Sequence, residues 1–312
     1  MSNIQVHHSI FSGLADLSIA FGHSPREVFK RFEIDVTSLG TLDQYLPIET
    51  YEKMVSYCAT RFKQPNFNEL LAKFQFKDIF SSSMSCSDVG ATLQQHLKRI
   101  AEQSSYLLKG VSFKANVCDR RGSIEVISDG TTLPISAQIH ALTLIDRLVS
   151  QLSSRSQSIR SWVLTEATEH QLDRSIIVEH GRTALQFDPK LLSNSSANSA
   201  NIVSSRGLDE VIEELKVQLN DGKASLESVA ASFAISGRQL QRQLKIYGTS
   251  FRQLLDAARF QYARNYLNQS GLSLSFIAGK LGYSEDSAFS RSFKRWTGVA
   301  PKAWRSALRS TK

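Results

Sequence analysis

The sequence predicts two domains: an α+β domain, followed by an all-α domain in which a long helix joins two helix-turn-helix units. Three observations support this fold class. The 312 residues exceed one typical domain and suffice for two. Helical and alternating apolar patterns are mixed over the first two thirds of the chain. One helical pattern then occurs twice in the last third.

A segment of low charge separates the predicted domains. Residues 192–207, "LSNSSANSANIVSSRG", are rich in Ser, Asn and Ala and show no apolar periodicity, which is typical of a linker. We therefore expect the first domain at 1–191 and the second at 208–312.

The first domain combines helical and strand patterns. Ser24 and Pro25 can begin a short helix as its N-cap and first-turn proline. Helices are predicted within residues 13–21, 24–32, 48–62, 89–108 and 135–152. Alternation in "VSFKANVC" and "SIEVI", on either side of "DRRG", predicts a β-hairpin. Further short strands are expected in "SWVLTEA" and "ALQFDP".

Composition excludes several classes of protein. No apolar run is long enough for a transmembrane helix, and the N-terminus lacks the features of a secretory signal. The three cysteines, Cys58, Cys86 and Cys118, are isolated, so we expect no disulfide framework and a reducing, cytoplasmic location. The histidines form no metal-binding motif, and no nucleotide-binding or hydrolase motif occurs. We expect no enzyme, no metal and no cofactor.

Most of the excess positive charge lies in the last third of the chain. The formal net charge is +8. Residues 208–312 contain 16 Lys and Arg against 9 Asp and Glu, whereas residues 1–207 contain 21 against 20. A basic block on an otherwise nearly neutral chain is typical of nucleic-acid binding, although a surface that only aids solubility has the same composition.

The basic block contains two copies of one pattern. Each copy, within residues 225–246 and 273–296, has a helix, a short break and a second helix, which is helix-turn-helix geometry. The second helices align at an offset of 49, so Arg242 matches Arg291. The matched apolar positions are Leu226 and Leu274, Val229 and Ile277, Ala230 and Ala278, Phe233 and Leu281, Leu240 and Phe289, and Leu244 and Phe293.

A long apolar helical pattern joins the two copies, over residues 250–271. A rigid helix there would fix the distance between the two units. One chain would then present two recognition helices to successive major grooves, about 34 Å apart on one DNA face.

The stretch "GYSEDSAFSRSFKRWTGVAPKAWR" resembles the signature of the AraC/XylS transcription regulators. The matching positions are Gly282–Tyr283, Phe289, Arg291, Phe293–Lys294, Gly298, Pro301 and Trp304–Arg305. The resemblance covers about residues 208–308, and the first domain more loosely resembles the effector and dimerisation domain of one subgroup. Ala300 departs from the pattern, because many members have Ser or Thr there as a helix cap.

The resemblance places the first recognition helix at 237–246 and the second after Gly282. Arg and Gln suit guanine and adenine, and Asp286 suits either a cytosine amino group or the positive end of the helix dipole. The base-reading candidates are Arg238, Gln241, Arg242, Asp286, Ser287, Ser290 and Arg291. The phosphate candidates are Lys245, Lys294, Arg295, Lys302 and Arg305. Trp296 and Trp304 are expected to pack in the core.

The resemblance implies a sequence-specific regulator that binds double-stranded DNA and activates transcription together with RNA polymerase. The first domain would bind a small effector, or a second copy of the chain to form a homodimer. Lys30 and Arg31 could meet an effector carboxylate, or belong to a solvated helix face. Two alternatives stay open: a repair-type enzyme with a DNA-binding tail, and an effector-independent architectural protein.

Overall fold

The fold consists of two compact units. The computed structural model describes residues 4–7, 9–40, 45–80, 108–118, 121–152, 160–168, 175–188, 207–268 and 271–309. A mixed unit is formed by Met1–Ile10, Tyr45–Ala59 and Gln64–Ser204, and a helical unit by Phe11–Gln44, Thr60–Lys63 and Ser205–Lys312. The sheets and helices of these units confirm the predicted fold class. The predicted domain limits stay predictions, and residues 192–206 of the linker lie outside the described ranges.

Two sheets lie in the mixed unit. The smaller sheet is antiparallel with the order β2-β1-β3, where β1 is Gln5–His7, β2 is Tyr45–Pro47 and β3 is Leu108–Lys109. The larger sheet has the order β4-β5-β8-β6-β7. Its strands are β4 Val111–Cys118, β5 Arg121–Ser128, β6 Arg160–Leu164, β7 Ser175–Val178 and β8 Thr183–Phe187. Only the pairing of β6 with β7 is parallel in this larger sheet.

The predicted hairpin is present as β4 and β5. Val111 lies opposite Ser128, and the ladder continues without a bulge to Cys118 opposite Arg121. Alternation of apolar side chains fixes this register, because a slip by one residue would turn the apolar face outward. The predicted strands near 161–167 and 184–189 are present as β6 and β8, whereas β1, β2, β3 and β7 were not predicted.

Three helices of the described chain complete the mixed unit: α3 Ile48–Phe62, whose last three residues belong to the helical unit, α4 Phe67–Phe80 and α5 Ile135–Leu152. Helix α4 packs along α5, and α5 contacts β5, β6 and β8. The bounds of α3 and α5 coincide with the predicted ranges 48–62 and 135–152. The helix predicted within 89–108 lies outside the described residues, except Leu108, which is in β3.

The helical unit is all-α over its described residues. Its helices are α1 Ser9–Ala20, whose first two residues belong to the mixed unit, α2 Pro25–Lys30, a 3-10 helix at Val36–Gly40, α6 Leu208–Asn220, α7 Leu226–Ser232, α8 Gly237–Ile246, α9 Phe251–Asn268, α10 Leu274–Lys280, α11 Asp286–Thr297 and α12 Pro301–Arg309. Helix α9 is the predicted long connection.

An aromatic cluster forms the core of the helical unit around Phe260 of α9. Its ring centroid lies 6.0 Å from that of Phe293, 5.9 Å from that of Trp296 and 6.5 Å from that of Trp304. All of these side chains are buried. The two tryptophans therefore pack in the core, as predicted. In the described part of the chain, no helix is long and apolar enough to cross a membrane.

Candidate DNA-recognition surface

Serine caps define where three of the four helices in the two helix-turn-helix units begin. The Oγ atoms of Ser225, Ser236 and Ser273 accept hydrogen bonds from backbone N–H groups three residues later, over 3.0, 3.3 and 3.1 Å. Each bond satisfies an N–H that the helix itself leaves unpaired. The first recognition helix, α8, has a reciprocal bond, because the Ser236 N–H donates to Oε1 of Gln239 over 2.8 Å.

The turns of the two units have the same backbone geometry. Ala234 and Gly282, which are 48 residues apart, have positive φ angles of 54° and 72°. The N–H of Ile235 donates to the Ala230 carbonyl over 3.1 Å, and that of Tyr283 donates to the Ala278 carbonyl over 2.9 Å. The sequence repeat is therefore also a repeat of turn conformation and hydrogen bonding.

The inner face of each recognition helix is fixed by two buried apolar side chains. Leu240 and Leu244 of α8 are each 1% exposed, and Phe289 and Phe293 of α11 are fully buried. The two phenylalanine rings meet edge to face, with centroids 5.8 Å apart. Residues on the opposite side of each helix then point away from the core.

The predicted base-reading residues lie on those outward faces. On α8, Arg238, Gln241 and Arg242 are exposed. On α11, Ser290 is half-buried, and the exposed members are Asp286, Ser287 and Arg291. Each helix thus brings its own candidates together on one solvent-facing side.

Asp286 has a structural contact within its own unit. The Ser275 hydroxyl, from α10, lies 2.9 and 2.8 Å from the two carboxylate oxygens of Asp286. This hydrogen bond joins the first turn of α11 to the supporting helix. The residue before it, Glu285, is the N-cap of α11 but makes no capping hydrogen bond with its side chain.

The five phosphate candidates differ in their surroundings. Lys245, Lys294 and Lys302 are exposed. Nη2 of Arg295 lies 2.9 Å from Oδ2 of Asp256 on α9. Burial raises the pKa of the Asp256 carboxyl, and the nearby arginines oppose that rise. Nε and Nη2 of Arg305 are shielded from solvent.

Arg259 of α9 supports the second unit and was not predicted. Its Nε donates to the Leu281 carbonyl over 2.9 Å, and its guanidinium carbon lies 4.5 Å from the centroid of the Tyr283 ring. These contacts hold the turn between α10 and α11. The partners are more than twenty residues apart, so no local pattern could have identified them.

The effector candidates lie in the helical unit rather than in the mixed unit. Lys30 is the last residue of α2 and Arg31 follows it, and both are exposed. The mixed unit has a pocket of about 140 Å³ on its larger sheet, with Arg182 in its lining. Arg182 is ion-paired there with Glu125 and Glu179, over 2.7 and 2.9 Å. Among the described residues, no group of His, Cys, Asp or Glu could hold a metal ion.

A protein-family model described as a helix-turn-helix domain matches residues 229–307, which cover all of the second unit and all but the first residues of the first unit. The chain carries an AraC-type helix-turn-helix domain. It is similar to the HTH-type transcriptional regulator VirS of Mycobacterium tuberculosis, at 27% identity over 94% of each chain. These matches make it a transcriptional regulator with an AraC-type DNA-binding domain.

Two further comparisons cover more than half of the chain. The transcriptional activator NphR of Rhodococcus is 30% identical over 180 residues, which is 58% of this chain and 50% of that relative. The solved transcriptional regulator CdpR from Pseudomonas aeruginosa is 17% identical, over 90% of this chain and 96% of that chain, with a TM-score of 0.32.

Proposed function

We propose that this regulator binds a specific DNA site with both recognition helices, α8 and α11, in successive major grooves on one face of the duplex. The observation that carries the proposal is a structural repeat. Each unit has a serine-capped supporting helix, the same turn conformation and two buried apolar side chains on its recognition helix. Each recognition helix also exposes an arginine at the matching position. A continuous helix between the units supports a fixed separation. The expected distance between the two contacted grooves is about 34 Å, one helical turn of DNA.

In this proposal the outward residues of α8 and α11 contact base edges. Arg242 and Arg291 are the principal readers, because a guanidinium can donate two hydrogen bonds to guanine. The exposed lysines contact phosphates and supply affinity without sequence preference. Asp286 accepts a hydrogen bond from a cytosine amino group, or only fixes the start of α11. Arg295 and Arg305 stay predicted phosphate contacts.

Replacement of either principal reader tests the proposal. Arg242→Ala and Arg291→Ala should each weaken binding to a DNA site selected in vitro by about 1–3 kcal/mol, because a bidentate base contact is lost. Fluorescence anisotropy with the full chain and a labelled duplex measures the change. Preference for one base pair should also relax in each variant, at a different position of the site.

Lys114→Ala is the matched control, since it removes one exposed positive charge from β4 of the mixed unit. Its affinity and base preference should equal those of the wild type. If both arginine variants bind the selected site as tightly as this control does, the assignment of the readers is wrong.

We further propose that the regulator is a cytoplasmic activator that works with RNA polymerase, and that a small effector or a second copy of the chain controls it. The name of the similar Rhodococcus protein, a transcriptional activator, supports the assignment as an activator. A pocket of the mixed unit, beside Arg182, supports the part of this proposal that concerns a small effector. Transcription in vitro from a promoter that contains the selected site, with purified RNA polymerase, should rise when the protein is added; an unchanged or lower yield would contradict activation.

A further inference from the structure

A segment near the N-terminus is built into the helical unit. Residues Phe11–Gln44 belong to the same compact unit as the two helix-turn-helix motifs, although about 160 residues of sequence lie between them. Helix α2 packs against the second recognition helix, α11, and the 3-10 helix packs against α9 and α12. Beyond this packing, residues 16–26 of the segment contact the DNA-binding part of the chain at three places.

The first contact is a buried ion pair between α1 and α9. Nη2 of Arg264 lies 2.7 and 2.6 Å from the two carboxylate oxygens of Asp16. The side chains are only 7% and 1% exposed. Loss of either partner would leave a buried charge without compensation, so α1 is firmly attached to the helix that joins the two units.

The second contact lies beyond the C-terminal end of the first recognition helix. The hydroxyl of Thr249 donates to the carbonyl of Ala20, the last residue of α1. Thr249 is buried and stands between α8 and α9. Next to it, Gln253 covers Gly22 so closely that a Cβ atom at Gly22 would collide with the Gln253 amide.

The third contact is at the C-terminal end of the second recognition helix. The Ser24 hydroxyl donates to the carbonyl of Trp296 over 3.4 Å. The Arg26 side chain lies across Gly298, where a Cβ atom would be 2.5 Å from Cδ and 2.6 Å from Nη1 of Arg26. A guanidinium at this end of α11 is also favourable, because the last carbonyls of a helix carry partial negative charge.

We propose that residues 16–26, here called the clamp, fix the two recognition helices relative to each other and so set the spacing of the DNA subsites that the protein accepts. The clamp holds the end of α8 through Thr249, α9 through Arg264 and the end of α11 through Ser24 and Arg26. The inference rests on the proposed reading of two grooves. Ser24 and Arg26 are positioning residues in it, and neither contacts DNA.

The test compares spacing preference between the full-length wild type and Arg26→Ala. Arg26 is exposed, so its truncation should leave the fold intact. Duplexes carry the two selected subsites separated by zero to five additional base pairs. The wild type should prefer one spacing. Arg26→Ala should lose about three- to fivefold in affinity at that spacing, the size expected for one charge at a helix end, and should discriminate less between spacings.

Lys53→Ala is the matched control, because Lys53 is an exposed cation on α3 in the mixed unit. It should keep the wild-type preference. A direct phosphate contact by Arg26 would instead lower the slope of log affinity against log salt by about 1 and weaken all spacings equally. A lower salt slope with equal weakening at all spacings overturns the positioning role of Arg26. An Arg26→Ala variant that keeps the wild-type preference for one spacing also overturns it.

The buried contact offers a second variant. Asp16→Leu combined with Arg264→Met removes the ion pair without leaving a charge, a change that proteins often tolerate. Provided that thermal unfolding stays cooperative, this double variant should also accept more spacings; an unchanged preference speaks against the clamp. If the wild type binds duplexes of every spacing equally, both the proposed reading of two grooves and the clamp are wrong. If the wild type prefers one spacing and no variant changes that preference, only the clamp is wrong.

Discussion

Ala234 pays a conformational cost that Gly282 avoids at the equivalent place in the second unit. Both residues have positive φ, which is unfavourable for any side chain with a Cβ atom. The turn nevertheless requires this conformation, because the N–H of the following residue closes onto the preceding helix. The first unit is therefore strained at one identifiable residue.

Ala234→Gly should raise the free energy of unfolding of the helical unit by about 0.5–1 kcal/mol, since relief of backbone strain exceeds the added entropy of the unfolded chain. Urea denaturation of the full chain measures the change. Gly282→Ala is the reciprocal control and should destabilise by about 1 kcal/mol or more. The explanation fails if Ala234→Gly lowers stability.

His140 couples the stability of the mixed unit to pH. Its Nδ1 lies 2.9 Å from the Tyr51 hydroxyl, and both side chains are buried. Burial lowers the pKa of His140 from 6.5 to about 4 and raises the pKa of Tyr51. Tyr51 therefore keeps its proton and can donate a hydrogen bond to Nδ1 of the neutral imidazole.

Between pH 6.5 and 4 the unfolded chain binds a proton at His140 that the folded chain excludes. The free energy of unfolding should consequently fall as the pH is lowered through this window, by up to about 1.4 kcal/mol per pH unit from this residue. His140→Gln should have a shallower pH dependence in urea denaturation. Parallel curves for the two proteins would show that His140 does not contribute.

Among the helices, α12 begins without a side-chain cap. The Ala300 carbonyl accepts from the N–H of Trp304 over 3.0 Å, so Ala300 is in the N-cap position, where Ser or Thr would satisfy an open N–H. The neighbouring short helices α7, α8 and α10 all have such a serine.

Ala300→Ser should therefore raise the free energy of unfolding by about 1 kcal/mol, with no loss of DNA binding. Thermal denaturation measures the gain. Ala303→Ser is the control, because Ala303 is exposed within the same helix and serine there should lower stability slightly. Equal effects of the two substitutions would exclude capping as the cause.

Elements with a strong local pattern were predicted well, and elements fixed by distant partners were not. Helices α3, α5 and α9 and the hairpin have apolar periodicity along their own length. Strands β1 and β2 have three residues each and pair across about 40 residues, so little local pattern identifies them. The paired arginines of the candidate surface followed from the repeat. Arg259, and the contact of Arg264 with Asp16, depend on residues that only folding brings together.

At the scale of the whole molecule, the excess positive charge and the helix-turn-helix units lie in the same part of the chain. The excess positive charge belongs to the residues that form the helix-turn-helix units, and the remaining sequence is nearly neutral. Affinity for DNA should therefore arise in the helical unit.

The central claim is that two recognition helices read one DNA face. Hydroxyl-radical footprinting of the full chain on its selected site tests it most directly. We expect two protected patches about ten base pairs apart on the same face. Arg242→Ala should weaken one patch and Arg291→Ala the other. A single protected patch, or two patches that respond identically to both substitutions, would contradict it.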